Sequence, residues 1–247
     1  MLSKTKVKYI QSLGQKKFRQ SEGLFLAEGP KLVTELLQEV PQLVQEVFAT
    51  ADWMEENGGL LKQLNCMPVN EAMLEKISLL STPNKVVALV KQFEEASNID
   101  LKNQIVLALD GIQDPGNLGT IIRIADWFNV RQIVCSLDTA ELYNPKVVQS
   151  TMGSIARVGV VYKNLAEWLP AAKKEVCIYA TALDGINVAS DKKINEGVII
   201  IGNESKGVNP ILLQMANVKL NINRKGKAES LNAAVATGII LSHLTTA

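Results

Sequence analysis

The stretch Gly197-Val198-Ile199-Ile200-Ile201-Gly202-Asn203-Glu204-Ser205-Lys206-Gly207 is the most informative part of this 247-residue chain. It begins as a continuous apolar run of strand length and ends as a polar loop bounded by glycines. A strand that is apolar at successive positions is typical of a parallel sheet covered by helices on both faces. Ligands collect beyond the carboxyl ends of such strands, so the polar loop marks a candidate site.

Further apolar strand candidates surround this stretch in the second half of the chain, separated by helical patterns. The alternation predicts an α/β domain. A final helix, from residue 230 to about 244, is apolar around its circumference and should be buried, partly in the domain and partly in any subunit interface. The other predicted strands are residues 105–109, 132–136, 177–181 and 218–222.

The first half predicts a smaller α/β domain with a strand at residues 24–27 and a helix at 30–39. Strand and helix candidates then alternate. A polar stretch at 93–100 is typical of a linker and divides the chain into domains 1–95 and 103–247. The alternating candidates are residues 44–49, 52–64, 70–77 and 85–92.

The net charge of +1 means that any nucleic-acid partner must be held by a local basic patch. The first twenty residues carry six cations and no acid, and they predict a helix with a basic face. Lys16, Lys17 and Arg19 are candidate phosphate ligands on it. The alternative is an ordinary solvated helix face.

Several classes of protein are excluded by composition. The start of the chain lacks the apolar core of a signal peptide, and no apolar run approaches the roughly 20 residues of a membrane span, so a cytoplasmic location is expected. Cys66, Cys135 and Cys177 are too far apart for a disulfide or zinc framework and are expected to be buried thiols. The lone His243 is expected to be structural, and no metal site is predicted.

A second polar loop follows the strand at 105–109, and a helix is expected to begin near Asn117. Arg123 lies in that helix among Ile121, Ile122 and other apolar residues. A guanidinium there should have a partner, and a phosphate or carboxylate fits its fork. The alternative is a capped helix with a surface arginine.

The third loop follows the strand at 218–222. Ser230 is the expected N-cap of the last helix, and Asn232 enters that helix, where a buried amide would need hydrogen-bond partners such as an adenine edge, a carboxylate or backbone groups. For the loop after the central strand, the alternative to a binding site is an ordinary turn in which Glu204 caps the helix that opens near residue 209.

Together these loops resemble the three ordered motifs of the SpoU (TrmH-like) family of RNA ribose methyltransferases, in the SPOUT superfamily. Residues 25–29 and the helix after them resemble the family's RNA-binding domain, so the resemblance covers nearly the whole chain, more loosely before residue 100. The matching segments are Asn117-Leu118-Gly119-Thr120-Ile121-Ile122-Arg123, Gly202-Asn203-Glu204-Ser205-Lys206-Gly207 and Glu229-Ser230-Leu231-Asn232.

The resemblance implies an α/β fold with a C-terminal trefoil-knotted methyltransferase domain and a smaller N-terminal α/β RNA-binding domain. The knot should involve roughly residues 195–235, an exception to the rule that folds are unknotted. S-adenosyl-L-methionine is the implied cofactor, held largely by main-chain groups. The matching cofactor-binding positions are Thr181, Ala182, Gly202, Ile222 and Leu231.

The resemblance also assigns catalytic roles. Arg123, oriented by Asn117 and Glu204, would activate the ribose hydroxyl, either as a base or through an adjacent phosphate, since arginine normally keeps its charge. Ser230 and Asn232 would hold substrate and cofactor. Where many relatives have Ile-Pro-Met, this chain has Ile222-Asn223-Arg224, so its loop contacts with RNA should differ.

The implied activity is methyl transfer from S-adenosylmethionine to a ribose 2′-hydroxyl, with large-subunit ribosomal RNA favoured as the target. Transfer RNA is an alternative target with the same chemistry. A non-catalytic RNA-binding or ribosome-assembly protein on the same fold is the alternative from another class. The family also implies a homodimer with the active site near the interface.

Overall fold

The computed structural model describes residues 2–62, 64–94, 98–190 and 192–245. The chain divides into two compact units, Met1–Glu94 with Tyr143–Ala156, and Glu95–Leu142 with Arg157–Ala247. Residues 95–97 of the predicted linker lie outside the described residues, and the domain limits 1–95 and 103–247 stay a prediction. No helix within the described ranges is long and apolar enough to cross a membrane.

Helices and strands alternate along most of the chain, as the sequence pattern predicts. The helices are α1 (Lys4–Ser12), α2 (Lys16–Glu22), α3 (Pro30–Glu39), α4 (Ala51–Glu56), α5 (Gly58–Leu61), α6 (Glu71–Ile77), α7 (Pro115–Trp127), α8 (Pro145–Thr151), α9 (Leu165–Ala172), α10 (Pro210–Met215) and α11 (Ala233–Leu244). The strands are β1 (Leu24–Glu28), β2 (Val44–Ala49), β3 (Asn65–Pro68), β4 (Val86–Lys91), β5 (Ile105–Leu109), β6 (Gln132–Cys135), β7 (Gly159–Tyr162), β8 (Ile178–Asn187), β9 (Gly197–Ile201) and β10 (Val218–Asn221).

The first unit contains a mixed four-stranded sheet in the order β1-β4-β2-β3. β4 pairs antiparallel with β1 and β2, whereas β3 pairs parallel with β2. Every residue of β1 is buried, and Ile10 and Phe48 belong to the core of this unit. The predicted strands at 24–27 and 44–49 and the predicted helix at 30–39 are confirmed.

Two predicted helices of this unit are divided in the structure. The basic helix expected over the first twenty residues consists of α1 and α2, with a turn around Gly14 between them. The helix expected over 52–64 is interrupted at Asn57, whose side-chain amide donates to the Trp53 carbonyl at 2.9 Å. Two glycines then follow, and glycine is a poor helix former. β3 was not predicted because it is short and largely exposed.

The segment Tyr143–Ala156 belongs to the first unit although it lies far along the chain. The ring of Tyr143 lies 5.0 Å from the ring of Phe25, and its hydroxyl accepts the N–H of Phe93 at 2.8 Å. At Gly153 the backbone φ is +103°, and a Cβ there would lie 2.6 Å from Cβ of Glu35, so only glycine fits. The sequence pattern gives no sign of this return.

The second unit contains a parallel six-stranded sheet in the order β10-β8-β9-β5-β6-β7. The two central strands, β5 and β9, are buried at every position, which confirms the interpretation of their unbroken apolar runs. The predicted strands near β6, β8 and β10 are also present. β7 was not predicted, because this short edge strand is only partly buried and carries no continuous apolar run.

The three cysteines are free thiols, as their spacing predicts. Cys135 is fully buried at the end of β6, and burial raises the pKa of its thiol well above the usual range. Cys66 and Cys177 are only partly buried, so the expectation of burial holds for one of the three. Cys66 lies on the exposed edge strand β3, which explains its partial exposure, and Cys177 directly precedes β8.

Because all six strands of the second sheet run in the same direction, the loops that follow β5, β9 and β10 leave from one edge of the sheet. The helix after β10 begins at Ala233, and Asn232 is its N-cap, with Oδ1 accepting the N–H groups of Ala234 and Val235 at 3.0 and 3.2 Å. The expected cap at Ser230 was therefore wrong by two residues. α11 packs against α7, and the predicted knot over residues 195–235 stays a prediction.

Candidate active site

The loop after β5 leads into α7, whose first turn carries Asn117. Asp114 caps this helix, because its Oδ1 accepts the N–H of Asn117 at 2.9 Å, and Pro115 occupies the first helical position. The helix thus begins two residues before the predicted start. Its cap and proline fix the backbone from which the Asn117 side chain extends.

The loop after β9 is a tight turn closed by its own backbone. Asn203 and Gly207 exchange two backbone hydrogen bonds of 3.1 and 2.8 Å. A Cβ at Gly202 would lie 2.3 Å from the backbone of Gly207 and Val208, so no side chain fits there. Gly207 itself has φ +68°, the left-handed region that favours glycine. The glycines at both ends are therefore steric requirements of the turn that presents Glu204.

Two hydrogen bonds join the segment after β9, from this turn to Asn209, to the loop after β5. The side-chain amide of Asn203 donates to the Gly111 carbonyl at 2.8 Å, and the N–H of Asn209 donates to Oδ2 of Asp110 at 2.7 Å. Burial raises the pKa of the Asp110 carboxyl; the Asn209 N–H opposes this rise, and the negative charge of Asp138 adds to it. The two loops are thus held in one fixed arrangement.

Three predicted catalytic side chains meet at this edge of the sheet. Asn117 donates its amide hydrogen to Oε1 of Glu204 at 2.5 Å, and Asn232 donates to Oδ1 of Asn117 at 2.8 Å. Both hydrogen bonds are donated in the direction of the carboxylate, so each side chain has a defined orientation. Three residues from distant parts of the sequence therefore form one polar network.

A cavity of about 640 Å³ lies beside this network and has the size of a small-molecule site. Apolar side chains such as Leu220 and Ile240 line much of it, and Glu204 and Ser230 add polar groups. All the predicted cofactor-binding residues line it: Thr181, Ala182, Gly202, Ile222 and Leu231.

One wall of the cavity comes from an irregularity in β8. Lys219 and Leu220 are consecutive in β10, yet they pair with Ala180 and Ile186, so residues 181–185 bulge out of the sheet. The amide of Asn221 donates to the Leu183 carbonyl in the bulge at 2.7 Å. The bulge explains why the predicted strand at 177–181 is longer in the structure, and it supplies backbone groups to the cavity wall.

Comparison with known proteins decides the family of this chain. The SpoU rRNA Methylase family model matches residues 104–242, and the MRM3-like substrate binding domain matches residues 4–88. The chain belongs to the SpoU rRNA methylase family. Its prediction as an RNA methyltransferase is thereby confirmed.

Individual relatives are similar to this chain over nearly its whole length. The 23S rRNA (guanosine(2553)-2′-O)-methyltransferase RlmP of Bacillus subtilis is 35% identical over 243 residues, which cover 97% of this chain and 95% of that protein. A Porphyromonas gingivalis structure described as an RNA methyltransferase of the TrmH family has a TM-score of 0.85 at 31% identity, covering 99% of this chain and 98% of that one.

A third relative is an AdoMet-bound rRNA methyltransferase from Sinorhizobium meliloti. Its structure has a TM-score of 0.85 at 31% identity and covers 98% of this chain and 95% of that one. The α/β fold, with an N-terminal substrate-binding domain and a C-terminal SpoU methyltransferase domain, is confirmed.

Arg123 does not join the polar network of the SpoU site within one chain. It lies on the exposed side of α7, whereas its neighbours Ile121 and Ile122 are buried. The apolar neighbours of Arg123 therefore do not remove it from solvent, because the helix turns Arg123 and the isoleucines to different sides. The expected phosphate or carboxylate partner of its guanidinium stays a prediction, and so does its catalytic role.

The three predicted RNA ligands of the first unit differ in exposure. Lys16 and Lys17 are exposed on α2, whereas Arg19 is only 2% exposed and donates to the carbonyls of Leu13 and Gly14 at 3.0 and 2.8 Å. Arg19 closes the turn between α1 and α2, so its prediction as a phosphate ligand is corrected to a structural role. RNA contact by the two lysines stays a prediction.

Asn203 is the residue whose importance the sequence analysis missed. Besides the bond to Gly111, its Oδ1 accepts the N–H groups of Ser205 and Lys206 at 2.9 and 3.2 Å. An asparagine directly after a glycine at a strand end is a recognisable turn former, which was the available signal. The alternative role of Glu204 as a helix cap is excluded, because Asn209 caps α10.

Proposed function

We propose that this SpoU enzyme transfers a methyl group from S-adenosylmethionine to a ribose 2′-hydroxyl of large-subunit ribosomal RNA. The observation that carries the proposal is the Asn232–Asn117–Glu204 network beside a cavity lined by the predicted cofactor residues. Relatives named as 23S rRNA 2′-O-methyltransferases, from Bacillus subtilis and Coxiella burnetii, support the target class. A ribosomal RNA substrate also favours a cytoplasmic location.

The cavity suits the cofactor because it is largely apolar and offers backbone groups at its rim. Gly202, Ile222 and Leu231 would contact the adenosine portion, and the β8 bulge at Thr181 and Ala182 would form the opposite wall. When bound, the cofactor supplies an electrophilic sulfonium methyl group. No metal is required, and the described residues contain no group of three or more His, Cys, Asp or Glu side chains that could hold one.

The polar network would position the ribose. Glu204 already accepts a hydrogen bond from Asn117, and Asn232 is fixed by α11, so these groups are preorganised to orient a hydroxyl. Arg123 would stabilise the negative charge that develops on the hydroxyl oxygen, or clamp the adjacent phosphate, since its guanidinium does not give up a proton. Ser230, at the cavity wall, would contact the substrate.

In a homodimer, Arg123 of one chain would reach the active site of the partner chain. Trp127 lies one helical turn after Arg123 on α7 and is 84% exposed, and Val235 on the neighbouring helix α11 is 51% exposed. Large exposed apolar side chains on two packed helices favour a protein interface. In a twofold dimer formed through these helices, Arg123 of one chain would complete the site of its partner.

The test is transfer of tritiated methyl groups from S-adenosylmethionine to unmodified ribosomal RNA and, separately, to transfer RNA. Label in ribosomal RNA that resists alkaline cleavage at one position is the expected result. Label in transfer RNA alone would replace the proposed target. Absence of cofactor binding by calorimetry would favour the RNA-binding or ribosome-assembly protein instead.

The dimer is tested by mixing the variants Arg123→Ala and Glu204→Ala during refolding or co-expression. If Arg123 acts in the partner's site, mixed dimers carry one intact site, and the mixture regains about a quarter of wild-type activity, since about half of randomly formed dimers are mixed. An inactive mixture, with mixed dimers demonstrated by two affinity tags, would show that Arg123 does not act across the interface.

A further inference from the structure

The loop between β10 and α11 is exposed and strongly basic. Residues 223–232 are all exposed. Arg224, Lys225 and Lys227 lie within four positions around Gly226, and no acidic residue precedes Glu229 in the loop. We call residues 224–227 the basic loop.

The basic loop borders the cavity of the candidate site. Arg224, Lys225 and Gly226 contribute to its lining. The turn after β9 contributes a further exposed cation, Lys206, to the same lining. Two loops from the same edge of the sheet therefore carry cations at one cavity mouth.

These cations are not neutralised by neighbouring side chains. In the described ranges, salt bridges within 4.0 Å join other residues, such as Lys219 with Asp184 at 2.8 Å, and none involves the basic loop or Lys206. Asp184 lines the cavity and is paired with Lys219, whereas Glu204 and Glu229, which also line it, form no salt bridge with these cations in the described ranges. The cations at the mouth remain available to an external anion.

A hydrogen bond within the loop holds it in shape. Nη1 of Arg224 donates to the carbonyl of Ala228 at 3.3 Å, which links the first residue of the basic loop to the residue that follows the loop. A guanidinium has five N–H donors, so most of them remain free. The Lys225–Lys227 segment is thus presented at the tip of a closed loop, towards solvent.

The chemistry of the proposed reaction identifies the anion. The methyl donor carries a positive sulfonium, which gains nothing from a cluster of cations, and the cavity that would hold it is mainly apolar. RNA presents a phosphate next to every ribose, so a ribose at this site brings phosphates to the cavity mouth. Lysine and arginine bind such phosphates through charge and, for arginine, a matching donor fork.

We propose that the basic loop binds the phosphate backbone of the substrate RNA on either side of the ribose held at the cavity mouth. This inference rests on the proposed function and adds a second RNA-binding surface to the enzyme, distinct from the lysines of α2. The other anion within reach is the carboxylate of the methyl donor, which the experiment distinguishes.

The experiment measures RNA affinity as a function of salt. The probe is an unmodified transcript of large-subunit ribosomal RNA, and the variant is the triple substitution Arg224→Gln, Lys225→Gln and Lys227→Gln. Each phosphate contact contributes about 0.7 to the slope of log affinity against log salt for single strands, so the slope should become shallower by about 2.

Two matched variants control for charge and fold. The triple substitution Lys102→Gln, Lys173→Gln and Lys174→Gln removes the same charge from exposed positions that do not line the cavity, and it should leave the slope unchanged. The charge-conserving variant Arg224→Lys, Lys225→Arg and Lys227→Arg should retain the wild-type slope. Thermal unfolding of each variant verifies that it is folded.

Calorimetry with S-adenosylmethionine alone separates the outcomes. Unchanged cofactor affinity together with the shallower salt slope supports the proposal. A wild-type slope in the glutamine variant overturns it, and weakened cofactor binding with an unchanged slope assigns the loop to the donor carboxylate instead. If the wild-type enzyme binds RNA with a loop-dependent slope but transfers no methyl group, the proposed function fails while the phosphate-binding surface stands.

Discussion

The two sheets of the molecule differ in strand direction, and this difference decides where chemistry can be built. In the parallel sheet of the second unit, the loops after β5, β9 and β10 leave one edge and bring Asn117, Glu204 and Asn232 together. In the mixed sheet of the first unit, β4 runs antiparallel to both of its neighbours, β1 and β2, so the loop after β4 leaves the edge opposite to the loops after β1 and β2.

Each sheet nevertheless has a glutamate at or just after a strand end. Glu28 ends β1, is 4% exposed, and accepts the N–H of Leu79 at 3.0 Å and the hydroxyl of Ser78. Burial raises the pKa of the Glu28 carboxyl, and the two hydrogen bonds oppose that rise. Glu28 joins neighbouring segments of its own unit, whereas Glu204 stands beside a cavity. The comparison teaches that burial of a carboxylate does not by itself mark an active site.

The largest expected effect separates these two glutamates. Glu204→Ala should lower kcat by about 100-fold, the loss typical when one preorganised polar group is removed from a catalytic site. Its effect on stability should stay within about 1 kcal/mol, because it removes one hydrogen bond from a partly exposed group. Methyl transfer at saturating RNA and urea unfolding measure the two quantities.

Glu28→Ala is the matched control and should lower the stability of the fold without lowering kcat. It leaves the N–H of Leu79 and the hydroxyl of Ser78 without their acceptor in a buried setting, which costs about 1–3 kcal/mol. Activity per folded molecule should be unchanged. A large loss of kcat with Glu28→Ala, or retained activity with Glu204→Ala, would contradict the difference between the sheets.

Sequence patterns predicted the buried central strands better than the exposed edge strands β3 and β7 for a physical reason. β5 and β9 are buried on both faces, and their unbroken apolar runs indicate this. The edge strands β3 and β7 have exposed positions, so their sequences show neither a continuous apolar run nor a regular alternation of apolar and polar residues. A break in a helix is easier to predict than an edge strand. The paired glycines Gly58 and Gly59, directly after Asn57, could have predicted the division of the helix at 52–64.

The candidate site was predictable as far as it rests on motifs. Asn117, Glu204 and Asn232 were identified from their segments, and the structure joins them. The outward position of Arg123 could not be predicted in this way, because a run of apolar neighbours does not indicate which side of a helix a residue occupies. The prediction for Arg19 was wrong for a related reason. Its charge indicated a position in solvent, whereas its guanidinium donates to carbonyls of a turn that forms only in the folded chain.

A smaller effect is expected from Asn203, which connects the loops after β5 and β9 in the parallel sheet. Asn203 uses its oxygen to close its own turn and its amide to hold the Gly111 carbonyl. Asn203→Ala removes both functions and should cost about 1–3 kcal/mol together with a decrease in kcat. Asn203→Asp keeps the acceptor but loses the donor.

The aspartate variant therefore distinguishes the two functions of Asn203. If positioning Glu204 requires the link to Gly111, both variants lose kcat while their KM for the cofactor changes little. If only closure of the turn matters, Asn203→Asp keeps wild-type kcat and Asn203→Ala does not. Equal stability of wild type and Asn203→Ala would contradict the assigned hydrogen bonds.

The smallest expected effect concerns Asp110, the half-buried carboxyl at the same edge. Its pKa in the folded protein is raised, mainly by burial, so the folded state holds this proton to higher pH than the unfolded state does. The associated stability is present below the unfolded pKa and is lost as pH rises through the folded pKa. Asp110→Asn should remove this pH-dependent loss of stability while keeping an acceptor for the N–H of Asn209. Urea unfolding from about pH 4 to about pH 7 should therefore show a less negative slope of stability with pH in the variant, and identical slopes would mean that Asp110 ionises in the fold as easily as in the unfolded chain.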